Sequence, residues 1–225
     1  MVRGFATLEF DISRDDPKGE VVFTAETRGK PSEVWIAPLD RSAPPKRIAA
    51  SGEASPHFGP DGTVWFRYSN GKANLIGLMN KGGSARRQVT ARPISTVMSS
   101  SPDGHWLVAM APASDADAVD TIAIPADGGV PRVIGRGRYP VAWARDGRFV
   151  YVGLGSDQRQ TVAIPVSRIG LAGCPSAVFV RASRQPAIPG AQLIDGFDIS
   201  PGPNPSTFAY VKTTTQRNLF RISLH

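Results

Sequence analysis

SSSPDGHWLVAM, residues 99–110, is a tight turn set between two extended runs. Ser101, Pro102, Asp103 and Gly104 suit successive turn positions: proline presets φ, aspartate bonds nearby backbone, and glycine tolerates positive φ. One such turn makes a hairpin, whereas several at even spacing make an architecture. The turn recurs. HFGPDGTVWFRY (57–68) carries Gly59-Pro60-Asp61-Gly62, and VAWARDGRFVYV (141–152) carries Ala144-Arg145-Asp146-Gly147. Two degenerate copies, FDISRDDPKGEVVFTA (10–25) and FDISPGPNPSTFAYVK (197–212), stand near the ends and open on the same tetrapeptide. From turn to turn the separations are about 46, 42, 43 and 56 residues, close to the repeat length of one four-stranded propeller blade.

The interior of each repeat also recurs. After the turn comes an apolar run rich in β-branched and aromatic residues (Val21–Phe23, Val64–Phe66, Trp106–Val108, Phe149–Tyr151, Thr207–Tyr210), then a polar loop. A second run follows: EVWIAPL, NLIGLMN, DTIAIPADGG, QTVAIPV and RNLFRISL. These alternate with the two-residue period of strands, not the 3.6-residue period of a helix. A more basic third run (PKRIAA, RRQVT, PRVIG) and the run leading into the next turn complete four strands per repeat. The pattern predicts an all-β protein, a β-propeller of four-stranded antiparallel blades with almost no helix and the most polar strand outermost. Five repeats are visible, at about 4–50, 51–91, 92–136, 137–193 and 194–225, all in one propeller region spanning 1–225.

Composition agrees: 225 residues suffice for a sizeable core, and 41% hydrophobic residues with 23 Gly and 20 Pro describe a turn-rich globular chain. The only cysteine, Cys174, excludes an internal disulfide and reads as an unreactive thiol. The N-terminus has no apolar signal-like stretch, and no run approaches the roughly 20 apolar residues of a membrane span. The net charge of +7 is spread over every repeat (Lys46-Arg47, Arg86-Arg87, Arg132 with Arg136 and Arg138, Arg181 with Arg184). That is the distribution of solvated outer strands, and it disfavours nucleic acid as a partner, which calls for one basic patch with interleaved aromatics.

No catalytic motif emerges. There is no Gly-x-Ser-x-Gly elbow, His-Glu-x-x-His or Cys-x-x-Cys, and GRGRYP (135–140) neither follows a strong strand nor opens a helix as a phosphate loop would. Asp61, Asp103 and Asp146 recur at the same place in each repeat, which assigns them to the fold. No catalytic residue, cofactor or metal ligand is therefore expected. Asp127-Gly128-Gly129 reads as a hairpin turn, and Trp35, Trp65, Trp106 and Trp143 read as core between blades. His57, just before its turn, and Arg138 and Tyr139, just before Val141–Trp143, are placed to line a channel mouth, and are the candidate ligand- or partner-binding residues.

The Ser-Pro-Asp-Gly turn with its apolar strand, followed by IAIPADGG and a basic outer strand, resembles the TolB-like, WD-type propeller repeat. EVWIAPLDRSAPPKRI, GGVPRVI, AWARDGRFVYV and GPNPSTFAYVKTTTQRNLFRISL resemble more narrowly the C-terminal propeller of large bacterial serine/threonine protein kinases. The resemblance implies a non-enzymatic sensor, scaffold or interaction module binding a protein or small ligand at a propeller face. It implies no kinase activity here, since the glycine-rich loop, His-Arg-Asp and Asp-Phe-Gly motifs are missing. The alternative is an accessory propeller gating the hydrolase domain of a prolyl-oligopeptidase-like serine peptidase. Membership of a membrane-spanning kinase would place the module outside the cytoplasm; otherwise it is expected in the cytoplasm.

Two departures from the repeat raise expectations of their own. The last repeat stops after RNLFRISLH and the first has little sequence before Phe10, which predicts an incomplete or open ring, the C-terminal portion of a larger propeller, self-associating through its edge strands. The fourth repeat carries the long stretch RIGLAGCPSAVFVRASRQPAIPGAQLIDG (168–196), which reads either as a connecting loop with a displaced strand at Ala177–Arg181, the favoured reading, or as a specific contact surface.

Overall fold

Alternation of apolar and polar residues between closely spaced turns yields short antiparallel strands, and the chain folds them in sequence order. The computed structural model describes residues 6–13, 19–114, 118–154, 160–166, 189–196, 199–202 and 204–209. The first blade is β1 (Ala6–Ile12), β2 (Glu20–Glu26), β3 (Glu33–Pro38) and β4 (Lys46–Ala49). The second is β5 (Ala54–Phe58), β6 (Thr63–Ser69), β7 (Asn74–Asn80) and β8 (Arg87–Thr90). The third is β9 (Thr96–Ser100), β10 (Trp106–Pro112), β11 (Val119–Pro125) and β12 (Arg132–Arg136). The fourth is β13 (Val141–Trp143), β14 (Phe149–Gly153), β15 (Gln160–Pro165) and β16 (Gln192–Asp195). Each blade pairs its strands as a simple meander, first to fourth. The fifth repeat contributes the two-stranded piece β17 (Ser200–Pro201) and β18 (Phe208–Ala209). Among the described residues the only helical turn is Pro60–Gly62.

The blades stand in a propeller ring with their first strands innermost. The two-residue period then decides which neighbour each side chain meets. On β6, Val64 and Phe66 point back to pack with Val22, Val34 and Ile36 of the first blade, while Trp65 points forward to Leu107, Ile122 and Ile124 of the third. On β10, Leu107 and Ala109 face the second blade, while Val108 packs with Val141, Val150 and Val152 of the fourth. Tyr151 packs with Ile194, Ile199 and Phe208. Burying both faces of each middle strand accounts for its continuous apolar run. The outermost strands begin on two exposed residues before turning inward, so Lys46, Arg47, Arg87 and Arg132 occupy their wet halves.

The fourth blade takes its outer strand from Gln192–Asp195, which pairs with Gln160–Ala163, so the repeat boundary at 193 falls inside β16. The QLID run supplies the alternation that pairing needs, with Ile194 buried and its neighbours exposed. The expected strand at Ala177–Arg181, Cys174 and the closing run 217–224 lie outside the described residues.

Candidate functional site

The turns that punctuate the sequence gather at one face of the ring. Each is closed by backbone bonds: Ser101 N donates to Trp106 O at 2.8 Å and Ala144 N to Phe149 O at 2.9 Å. Asp103 Oδ1 accepts the His105 amide (3.0 Å) and the Ser101 hydroxyl, and Asp146 Oδ1 accepts the Arg148 amide (3.0 Å). The Arg148 amide first, and its guanidinium second, hold the Asp146 carboxyl below its ordinary value. These two aspartates have the fold role their recurrence suggests. Asp61 differs: it takes φ +52° ahead of Gly62 at +71°, and its carboxylate has no hydrogen-bond or ion-pair partner among the described residues.

Successive turns also stack. A Cβ on Gly104 would lie 2.4 Å from the Gly59 carbonyl carbon and 2.7 Å from Pro60 N, so the third blade's turn rests on the backbone of the second's. Trp65, buried between the two blades, donates its indole N–H to Gly104 O at 3.0 Å.

Asp11, near the end of β1, joins three blades. Its Oδ2 accepts the Phe58 amide at 2.9 Å and the Ser100 hydroxyl at 3.4 Å, and stands 3.7 Å from His57 Nδ1. The ends of β1, β5 and β9 are thereby drawn together around an open cleft of about 340 Å³. Asp11, Ile12, Phe58, Asp61, Lys81 and Asp103 supply the side chains that give it character. Lys81 places its ammonium over the Phe58 ring, 5.5 Å from the centroid, and pairs with Glu20 of the first blade. Ile12 is 42% exposed, a large apolar side chain left at the rim.

Of the residues singled out from sequence, His57 stands beside this cleft through its contact with Asp11. Arg138 and Tyr139 do not join it. They precede β13, at the face where the innermost strands begin, whereas His57 lies where β5 ends. Tyr139 packs on the core between the third and fourth blades, with its amide donating to Thr121 Oγ1 at 3.3 Å, and Arg138 is exposed. Sequence reasoning missed Asp11, Ser100 and Lys81. The duplicated Phe-Asp-Ile-Ser tetrapeptide marks the position of Asp11, but its contacts come from chain 47 and 89 residues away.

No hydroxyl among the described residues donates to the His57 ring, and no three His, Cys, Asp or Glu side chains there are grouped to hold a metal ion. No helix among the described residues is long and apolar enough to cross a membrane.

No protein-family model and no curated protein matches the chain. Solved structures do. TolB from Acinetobacter baumannii aligns at 15% identity and a TM-score of 0.58, over 72% of this chain and 41% of that one. A chain of a nidogen/laminin complex aligns at 13% identity and 0.57, over 90% of this chain and 71% of that one. An oligogalacturonate lyase in complex with manganese aligns at 13% identity and 0.53, over 73% and 52%. The chain thus spans less than two-thirds of the TolB and lyase chains. These likenesses establish the TolB-like propeller fold, which binding proteins and enzymes share.

Proposed function

We propose that this chain is a non-enzymatic binding propeller, a sensor or scaffold that takes its partner in the cleft on the turn face. The supporting observation is the cleft itself, built by three blades around Asp11 and lined by turn backbone and by three carboxylates, of which Asp11 and Asp103 are bonded within the fold and Asp61 is not. Composite sites of this kind arise where radial repetition brings loops together on a rigid scaffold. Attachment to a larger signalling protein such as a bacterial serine/threonine kinase rests on the sequence resemblance alone.

The reading is tested by placing a photo-crosslinking residue at position 12, on the cleft, and in a separate variant at position 138, on the opposite face. A reproducible crosslinked partner from position 12 and none from position 138 is expected. Crosslinks from position 138 alone, or substrate turnover abolished by Asp11→Asn, would overturn it.

A further inference from the structure

The cleft has a chemistry that narrows its occupant, given the reading of the turn face as the binding face. Around it stand three carboxylates, Asp11, Asp61 and Asp103, against one ammonium, Lys81, on a chain whose formal net charge is +7. The ammonium is already paired with Glu20. Asp103 is committed to its turn and Asp11 to the inner-strand ends. Asp61 is not committed to either: it is exposed on the rim, in a turn that Thr63 closes onto Pro60 O without its carboxylate. Beside these carboxylates lie the Phe58 ring and the exposed Ile12, an apolar strip that Pro60 and Pro102 extend along the turns. Lys81 shows how the ring is used, with its own ammonium seated over the Phe58 face.

An acidic rim next to an apolar strip matches a group with a cationic head on a methylene stem. Lysine and arginine side chains lay such stems along apolar surface and keep their heads at polar partners. A cation over an aromatic face gains further attraction from the ring quadrupole. The cleft is open to solvent and flanked by protruding turns at Pro60 and Pro102, which suits a side chain offered by a protein segment passing over the face. The geometry points to a basic side chain, lysine or arginine, on a partner protein as the occupant of this cleft, its stem on Ile12 and Phe58 and its head at Asp61.

The test uses the whole chain, labelled for amide NMR, titrated with the blocked tripeptides Ala-Arg-Ala, Ala-Lys-Ala and Ala-Glu-Ala, and with agmatine. The two basic tripeptides are expected to shift the Phe58, Gly62 and Gly104 amides, and Ala-Glu-Ala to leave them in place. Asp61→Asn, whose amide tolerates the left-handed backbone, should weaken the basic peptides roughly two- to fivefold, the range of an exposed ion pair. Lys81→Met leaves Glu20 uncompensated beside the cleft and should tighten them by a similar factor. Opposite signs from two substitutions on one cleft are not produced by a general loss of structure. Should either variant fail to fold, weakening of the parent chain's binding by added salt carries the same prediction.

No shift with basic peptides, equal shifts with Ala-Glu-Ala, or an unchanged affinity in Asp61→Asn overturns the inference. Agmatine binding more tightly than either basic peptide overturns the assignment to a protein side chain. A crosslinked partner at position 12 together with indifference to basic peptides would leave the binding-face reading standing and remove only the cationic occupant.

Discussion

The stacking of turns can be measured because the protein carries three versions of one glycine. Gly62, Gly104 and Gly147 hold the same place in the repeat at φ +71°, +70° and +71°, so alanine pays the same left-handed penalty at each, about 1–2 kcal/mol, although the first turn also puts Asp61 at positive φ. What differs is the space beyond. A Cβ at Gly62 meets nothing within 4 Å, and one at Gly147 reaches the Pro102 ring at 3.4 Å, an ordinary contact. At Gly104 it would lie 2.4 Å from backbone of the neighbouring blade, so two blades must part or the turn must unwind. Overpacking of this kind adds about 1–3 kcal/mol, which brings Gly104→Ala to about 2–5 kcal/mol. Reduced freedom of the unfolded chain offsets all three by the same about 0.4–1 kcal/mol and cancels in the comparison. Urea unfolding of the three variants, compared by midpoint at constant slope, is the assay. Gly62→Ala and Gly147→Ala should fall together, with Gly104→Ala well below them. Three equal losses would refute the claim that the turns of adjacent blades bear on each other.

Asp103→Ala should lower stability by about 1 kcal/mol by removing the acceptor for the His105 amide and Ser101 hydroxyl, read in the same unfolding experiment. Tyr151→Phe should be neutral or stabilising by up to about 1 kcal/mol at neutral pH, because the buried phenol has no hydrogen-bond partner among the described residues. Burial first, and the charge of Asp146 second, raise the Tyr151 phenol above its ordinary value. A raised folded value means the native state keeps its proton longer, so this contribution is whole below the unfolded value near about 10 and is lost as pH rises through the folded one. Thermal melts at alkaline pH should therefore show the parent chain losing more stability than Tyr151→Phe. Purified protein should neither transfer phosphate from ATP nor hydrolyse peptides or esters, and a reproducible rate abolished by one substitution would count against the binding-propeller proposal.

Much of this molecule could be read from local pattern. Val64-Trp65-Phe66 and Leu107-Val108-Ala109 declare strands because their alternation is a property of consecutive residues, and Pro60-Asp61-Gly62 and Pro102-Asp103-Gly104 declare turns because φ preferences are intrinsic. Even spacing of those signals then leads to four-stranded blades. Local pattern was silent where geometry depends on how the blades pack against one another. The same Pro-Asp-Gly letters give an aspartate bonded to its turn at 103 and one in left-handed backbone, without a partner among the described residues, at 61. In the fourth repeat, Gln192–Asp195 is too short a run to declare its partner, and only pairing with β15 makes it the outer strand of the blade.

The cleft belongs wholly to the second kind of information. Asp11 meets Phe58 and Ser100 across 47 and 89 residues of chain, and Lys81 meets Glu20 across 61. Sequence determined that each of these residues ends a strand or occupies a turn. The radial arrangement of blades decided that those ends converge on one face, because meanders repeated around an axis bring equivalent strand ends to the same level whatever their separation in the chain.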